Sequence, residues 1–236
     1  MLAGYFLYSF ALMGLWNSTF ISEYQNEVDA IMFDVTYSSH SNSKETQTSD
    51  NAFFPLARHK SFFDSHSFAS GLFPFASGKS MESSSESINC YYGAYLWSTI
   101  RYVDEKNDID QLNFVRLLLA MEIKGVKTYW HISPHPFSDT DARIYNPIFE
   151  KNMMVGNLGK CLSLYFAFNL NARRQSNLGM MDATVSTWFG SNPLYVHMIN
   201  FLPITGITRE LFEIEYLKEE FTNVIEPIYA NVEMAW

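Results

Sequence analysis

The chain has 236 residues, of which 47% are hydrophobic and 17% aromatic, enough to bury a sizeable core as one globular domain and too apolar for a disordered segment. Its 25 acidic against 16 basic side chains leave a net charge of -9, which argues against nucleic acid as a partner. Two cysteines are too few for a disulfide framework and leave secretion open. The aromatic excess suits a carbohydrate binder, because sugar faces stack on rings, but more often it signals a packed core.

The run 1–16 is almost wholly apolar. It lacks the leading basic residues and small-residue cleavage site of a signal peptide, and it is short for a membrane span. A buried helix is the expected structure. Asn17-Ser18-Thr19 is a glycosylation sequon, meaningful only in a secreted chain. Residues 28–35 repeat apolar side chains at helical spacing, and 38–50 is a polar Ser/Thr/Asn run that reads as a surface loop. Arg58, His59 and Lys60 then stand beside aromatic residues, either as groups that meet substrate hydroxyls or as a solvated rim.

The segment 61–97 organises the chain. It places Asp64 and His66 among aromatic and small residues, turns at Gly71, Pro74 and Gly78, presents Glu82 and Glu86, and runs into an apolar aromatic helix. Polar groups on a turn-rich segment beside a rigid helix suit acid/base work on a polar ligand. Glu82 and Glu86 are four residues apart, so a helix starting here sets both on one face, where like charges repel. Ser83-Ser84-Ser85-Glu86 also matches a capping box, with Ser83 at the N-cap. The two roles are compatible, since a cap can fix a catalytic carboxylate in place.

Helices are predicted over 85–102 and 111–129, the second with apolar residues at Leu112, Val115, Leu118, Leu119 and Ile123, joined by a charged connector at 104–110. Helix, short loop, helix is the rhythm of an antiparallel helical array. Glu122 in that second helix is expected to pair with a nearby base such as Lys127. His131 and His135 have a metal-like spacing, but Pro134 breaks the helix that would align them. No phosphate-binding glycine loop or Ser/His/Asp signature occurs.

Several blocks resemble glycoside hydrolase family 81: HSFASGLFPF at 66–75, GKSMESSSE at 78–86, INCYYGAYLW at 88–97, LLLAMEI at 117–123 with KTYWH at 127–131, IY at 144–145 with KNMMVG at 151–156, and TWFGSNPLYVH at 187–197. Their order is that of the family and they span nearly the whole chain. The interval 159–183 is the exception. It is apolar and then basic, where the family passes quickly between blocks, and it is expected to be foreign to the family fold, such as translated non-coding sequence. A lid or an interfacial hairpin is the functional alternative.

The resemblance implies an all-α fold, part of an (α/α)6-type helical barrel that is incomplete here, with 1–236 a fragment of the catalytic domain truncated at both ends. It implies an endo-1,3-β-glucanase that cuts internal bonds of laminarin-type and cell-wall glucan with inversion, with Glu82 as general base and Glu86 as its assistant. It offers Asp64, His66, Lys60 and Tyr8 as glucan contacts. The family's general-acid Asp stands in an Asp-His-His-rich motif before a helix that begins like GYFLY at 4–8, and only the latter part is matched. The implied partner is 1,3-β-glucan, without cofactor, metal, nucleic acid or membrane, and the implied location is extracellular or in the cell wall. Oligomeric state is left open. The rivals are a catalytically inactive glucan-binding fragment, favoured by the unmatched acid, and a helical interaction protein that lost its cleft, which an intact Glu82 disfavours.

Overall fold

The computed structural model describes residues 2–37, 56–57, 60–62, 79–80, 83–102, 109–132, 153–158, 180–182 and 193–233. Most of them are helical, in keeping with the all-α class expected from the sequence. The helices are α1 (Leu2–Trp16), α2 (Ser18–Thr36), α3 (Ser84–Tyr102), α4 (Ile109–Tyr129), α5 (Pro193–Phe201), α6 (Thr208–Leu211), α7 (Ile214–Glu220) and α8 (Glu226–Glu233). A π turn at Phe221–Ile225 links α7 to α8. One small sheet, with order β1 (Lys79–Ser80), β2 (Val155–Leu158), β3 (Met180–Asp182), was not foreseen from the sequence. No helix among the described residues is long and apolar enough to cross a membrane. The chain divides into two compact units, 1–61 with 86–123 and 62–85 with 124–236.

In the first unit α1 is helical as expected, yet it is not buried all round. It buries only Gly4, Leu7, Ala11 and Gly14, a stripe at helical spacing. Phe6, Leu15 and Trp16 are exposed. The buried stripe is narrow because its residues are small and the helices come close. A Cβ on Gly4 would stand 2.5 Å from Cys90 Cα, and one on Gly93 would stand 2.8 Å from both Gly4 O and Tyr8 N. Asn17, the middle of the sharp step between α1 and α2, caps α2 by accepting the Thr19 N–H on Oδ1 at 3.0 Å.

Helix α2 adds Val28, Met32 and Val35 to a core shared with Leu7, Ala11, Cys90, Ala94, Trp97, Tyr102, Leu112 and Val115. Buried polar groups there have partners, as burial demands. Trp97 Nε1 donates to Asp29 Oδ1 at 2.7 Å. Burial raises the Asp29 carboxyl pKa, and the bonds from Trp97 and Tyr102 and the Arg101 charge oppose the rise. Gln111 Nε2 donates to Thr36 O at 2.9 Å, fastening the start of α4 to the end of α2. The predicted apolar row of α4 is buried at Leu112, Val115, Leu118 and Leu119.

In the second unit, His131 lies at 3% exposure in a cluster with Phe212 and Tyr216, its ring stacked on theirs at centroid distances of 5.2 Å and 4.9 Å. Met153 takes a left-handed backbone conformation (φ 61). Its carbonyl accepts from Ile132 N at 2.7 Å and from Tyr216 Oη at 2.8 Å, and these bonds hold the strained turn in place. The sheet pairs β1 with β2 and β2 with β3, both antiparallel, with a register shift between Val155 and Asn157. Strand β3 falls inside the interval 159–183 read as inserted, so the two flanks of that interval meet as the stem of a hairpin. The rest of the interval lies outside the described residues.

The structure starts the helical stretch at Ile214 and carries it past Pro227. Proline lacks the N–H that would bond Asn223 O in an α turn, and the π turn directly before it relieves that mismatch. His197 on α5 and Glu220 at the end of α7 form a buried pair within hydrogen-bond reach.

Two measurements check this account. Gly93→Ala and Gly4→Ala each force a methyl group onto facing backbone, and either should lower unfolding stability by about 1–3 kcal/mol in urea melts. Unchanged midpoints would mean the helices do not approach so closely. For His131, burial first and the Lys127 charge second push the pKa down to about 3. The unfolded imidazole takes a proton below roughly pH 6.5 while the folded one does not, so stability should fall as pH drops from there toward 3. His131→Phe should remove about 2 kcal/mol of the loss seen between pH 7 and pH 5. Equal pH slopes for the two proteins would contradict the buried neutral ring.

Candidate functional site

The close approach of α1 and α3 brings Tyr5 to Glu86. Tyr5 Oη donates to Glu86 Oε1 at 2.6 Å. The carboxylate lies in the first turn of α3, three residues after Ser83, where the helix leaves N–H groups without helical partners. Burial of its hydroxyl, then the bond to Glu86 and that group's charge, push the Tyr5 pKa up to about 12. Tyr5 is thus a protonated donor at any ordinary pH, and it fixes one oxygen of Glu86. Tyr8, three residues further along the same face, sets its ring 6.0 Å from Tyr92. Both rings are half-buried.

Behind α3 lies a second, buried carboxylate. Glu122 on α4 is 1% exposed, and Ser87 Oγ and Lys60 Nζ both bond it. The pairing corrects two expectations. Lys60 is neither an open substrate contact nor part of a solvated rim, because its side chain is 1% exposed and its ammonium is committed to Glu122. Lys127 is not the partner of Glu122. It bonds Glu213 at 2.7 Å. Five residues separate Glu122 from Lys127, which puts them on different faces of one helix, whereas neighbours are three or four apart. A buried carboxylate needs a charge or strong donors, and here it takes both from elsewhere in the fold.

Burial pushes the Cys90 thiol up, and burial together with Glu122 does the same for the Tyr91 phenol, so neither is an activated nucleophile. Among the described residues no group of three or more His, Cys, Asp or Glu is placed to hold a metal ion. His135 lies outside those residues, so the spacing from His131 gains no geometry. Asp64, His66 and Glu82 also lie outside them. Of the site residues read from the sequence, Glu86, Tyr8 and Lys60 are therefore the ones whose surroundings are described.

Sequence reasoning missed Tyr5. The signal was present, since Tyr5 and Tyr8 stand three apart in an apolar helix and share a face. Ser87 and Lys60 as ligands of Glu122 had no local signal. They are 35 and 62 residues away from it in the chain.

The family model of the glycosyl hydrolase family 81 C-terminal domain matches residues 2–236. The chain is 26% identical over 225 residues to a glucan endo-1,3-beta-D-glucosidase 2 of Saccharomyces cerevisiae, covering 95% of this chain and 24% of that protein. It is 24% identical over 235 residues to a primary septum glucan endo-1,3-beta-D-glucosidase of Schizosaccharomyces pombe, covering 99% of this chain and 19% of that protein. The fold matches a solved glycoside hydrolase family 81 structure from Clostridium thermocellum, in mutant form, with a TM-score of 0.61 at 23% identity, covering 94% of this chain and 26% of that one. The chain therefore spans about a quarter or less of the length of these proteins. With the model matched from the α1 glycines through Glu86 and Glu122 to the last helix, this chain belongs to glycosyl hydrolase family 81.

Proposed function

We propose that this chain is part of an endo-1,3-β-glucanase that hydrolyses internal bonds of 1,3-β-glucan with inversion. The observation that supports it most directly is the Tyr5–Glu86 bond at 2.6 Å, an oriented carboxylate on the helix pair that also brings the half-buried Tyr8 and Tyr92 rings together, in a chain whose matched relatives are named as glucan endo-1,3-β-glucosidases. Aromatic rings and a fixed carboxylate on one helix pair suit a sugar, which offers an apolar face and hydroxyl groups together.

In an inverting reaction one carboxyl protonates the glycosidic oxygen while a second takes a proton from water attacking the anomeric carbon on the opposite face. The two stand roughly 6.5–9.5 Å apart to leave room for that water. Glu82 is the base in this scheme. Glu86, four residues on and held by Tyr5, supports the water or Glu82 by charge and hydrogen bonding. The acid is the Asp of the motif that precedes the GYFLY helix in the family pattern. Asp64, His66 and Tyr8 meet glucan. The segment 159–183 is an insertion relative to the family. The glucan lies outside the cell or in its wall.

The test is release of reducing ends from laminarin by the full protein, next to binding of insoluble 1,3-glucan. Glu82→Gln should abolish hydrolysis with little change in binding or thermal melting. Glu86→Gln should keep measurable activity. Tyr5→Phe deletes one hydrogen bond to a charged group, worth on the order of 1.5 kcal/mol, so kcat should drop about tenfold. A dead Glu86→Gln beside an active Glu82→Gln would reverse the two roles. Binding without any hydrolysis by the unaltered full protein would leave a glucan-binding module instead.

A further inference from the structure

Glu82 and Glu86 are separated in the chain by Ser83, Ser84 and Ser85, and all three serines are buried, at 0%, 1% and 1% exposure. A helix start needs one capping oxygen, and apolar residues cover a buried surface at less cost than hydroxyls do. Three buried serines in a row therefore call for partners, and the partners are specific.

They come chiefly from one short stretch. Ser83 Oγ donates to Ile199 O at 2.8 Å, with Leu202 O at 3.1 Å. Ser85 Oγ donates to Pro203 O at 2.8 Å. The Ser84 N–H donates to Asn200 Oδ1 at 2.9 Å, and Ser84 Oγ lies 3.3 Å from His131 Nε2 and 3.5 Å from Asn200 O. Ile199 and Asn200 are in the last turn of α5, whose final carbonyls have no helical partner, and Ser84 opens α3, whose first N–H groups have none either. Ser83 thus satisfies a terminal carbonyl of α5, and Asn200 satisfies an N–H at the start of α3. His131 is buried and stacks on both Phe212 and Tyr216, so its nitrogen is a fixed point and not a mobile one.

We propose that this clamp is a positioning device for hydrolysis, with Ser84, Asn200 and His131 as positioning residues that fix the backbone between the two carboxylates. The inference rests on the glucanase function proposed above. Glu82 directly precedes the clamped triplet and Glu86 directly follows it, so a shift of the triplet displaces both. A misplacement of about 1 Å can cost on the order of a hundredfold in rate even when it arises away from the reacting atoms. The clamp itself touches no substrate. Its loss acts on kcat and not on binding.

The experiment compares Asn200→Leu, Asn200→Asp and Ser84→Ala in the full protein, with kcat and KM on laminarin oligosaccharides, binding to insoluble 1,3-glucan, and thermal melting. Asn200→Leu removes the acceptor for the Ser84 N–H at nearly constant volume and should lower kcat about 10- to 100-fold with KM and glucan binding within about twofold. Asn200→Asp keeps an acceptor oxygen and should recover most of the rate. Ser84→Ala keeps the N–H bond to Asn200 and deletes the hydroxyl that faces His131 Nε2 and Asn200 O, so it should lower kcat by a smaller factor with KM and glucan binding unchanged, and it decides the matter should Asn200→Leu fail to fold. A lower melting temperature with kcat unchanged would reduce the clamp to a purely structural cap and overturn the proposal. So would equal losses in Asn200→Leu and Asn200→Asp. If the unaltered protein releases no reducing ends, the glucanase function itself fails, and the inference fails with it. If it does and the variants match it, only the positioning role fails.

Discussion

The first unit depends on how closely two helices can approach. Gly4 on α1 and Gly93 on α3 leave room for backbone against backbone, with the nearest hypothetical Cβ contacts at 2.5 and 2.8 Å. Any side chain at either position would push the helices apart by a large fraction of a helix radius. The consequence is chemical as well as structural. Tyr5 follows Gly4 directly, and its hydroxyl reaches Glu86 only because α1 lies that near to α3. The ring pair of Tyr8 and Tyr92 follows from the same contact, one turn on.

Buried charge is the second constraint. Each unit holds ionisable groups away from water, and each solves the problem with a different partner. Asp29 takes the indole N–H of Trp97 and the nearby Arg101. Glu122 takes an ammonium and a hydroxyl. His131 stays neutral against two aromatic rings, a state that burial and the Lys127 charge both favour. Breaking one partner of a buried pair costs far more than the intact pair contributes, so these residues specify an arrangement more than they stabilise it. Lys60 belongs with this group. Its spacing beside aromatic residues suggested contact with substrate, while its burial makes it the counter-charge of Glu122.

The serine triplet shows how one stretch can serve two ends. Ser83 does stand directly before α3, as the capping pattern suggests, and Glu86 does lie in the first turn. What the pattern did not contain is the role of α5, whose last carbonyls receive the Ser83 hydroxyl and whose Asn200 receives the Ser84 N–H. Those partners lie 116 residues away in the chain, so no local periodicity could name them.

Local signals in the sequence determined a good deal. The helices over 85–102 and 111–129 were legible to within about two residues, because apolar spacing, a serine-rich start and a charged connector are properties of adjacent residues. Family membership was legible for the same reason, as ordered blocks of specific residues. Tertiary structure alone decided that α1 buries a glycine stripe and exposes Phe6, Leu15 and Trp16, that Glu122 belongs to Lys60 and not to Lys127, that Tyr5 holds Glu86, and that three short strands form a sheet. In each case the deciding contact joins residues distant in the chain. Its energy depends on distance and desolvation in the folded state, and spacing along the chain carries neither.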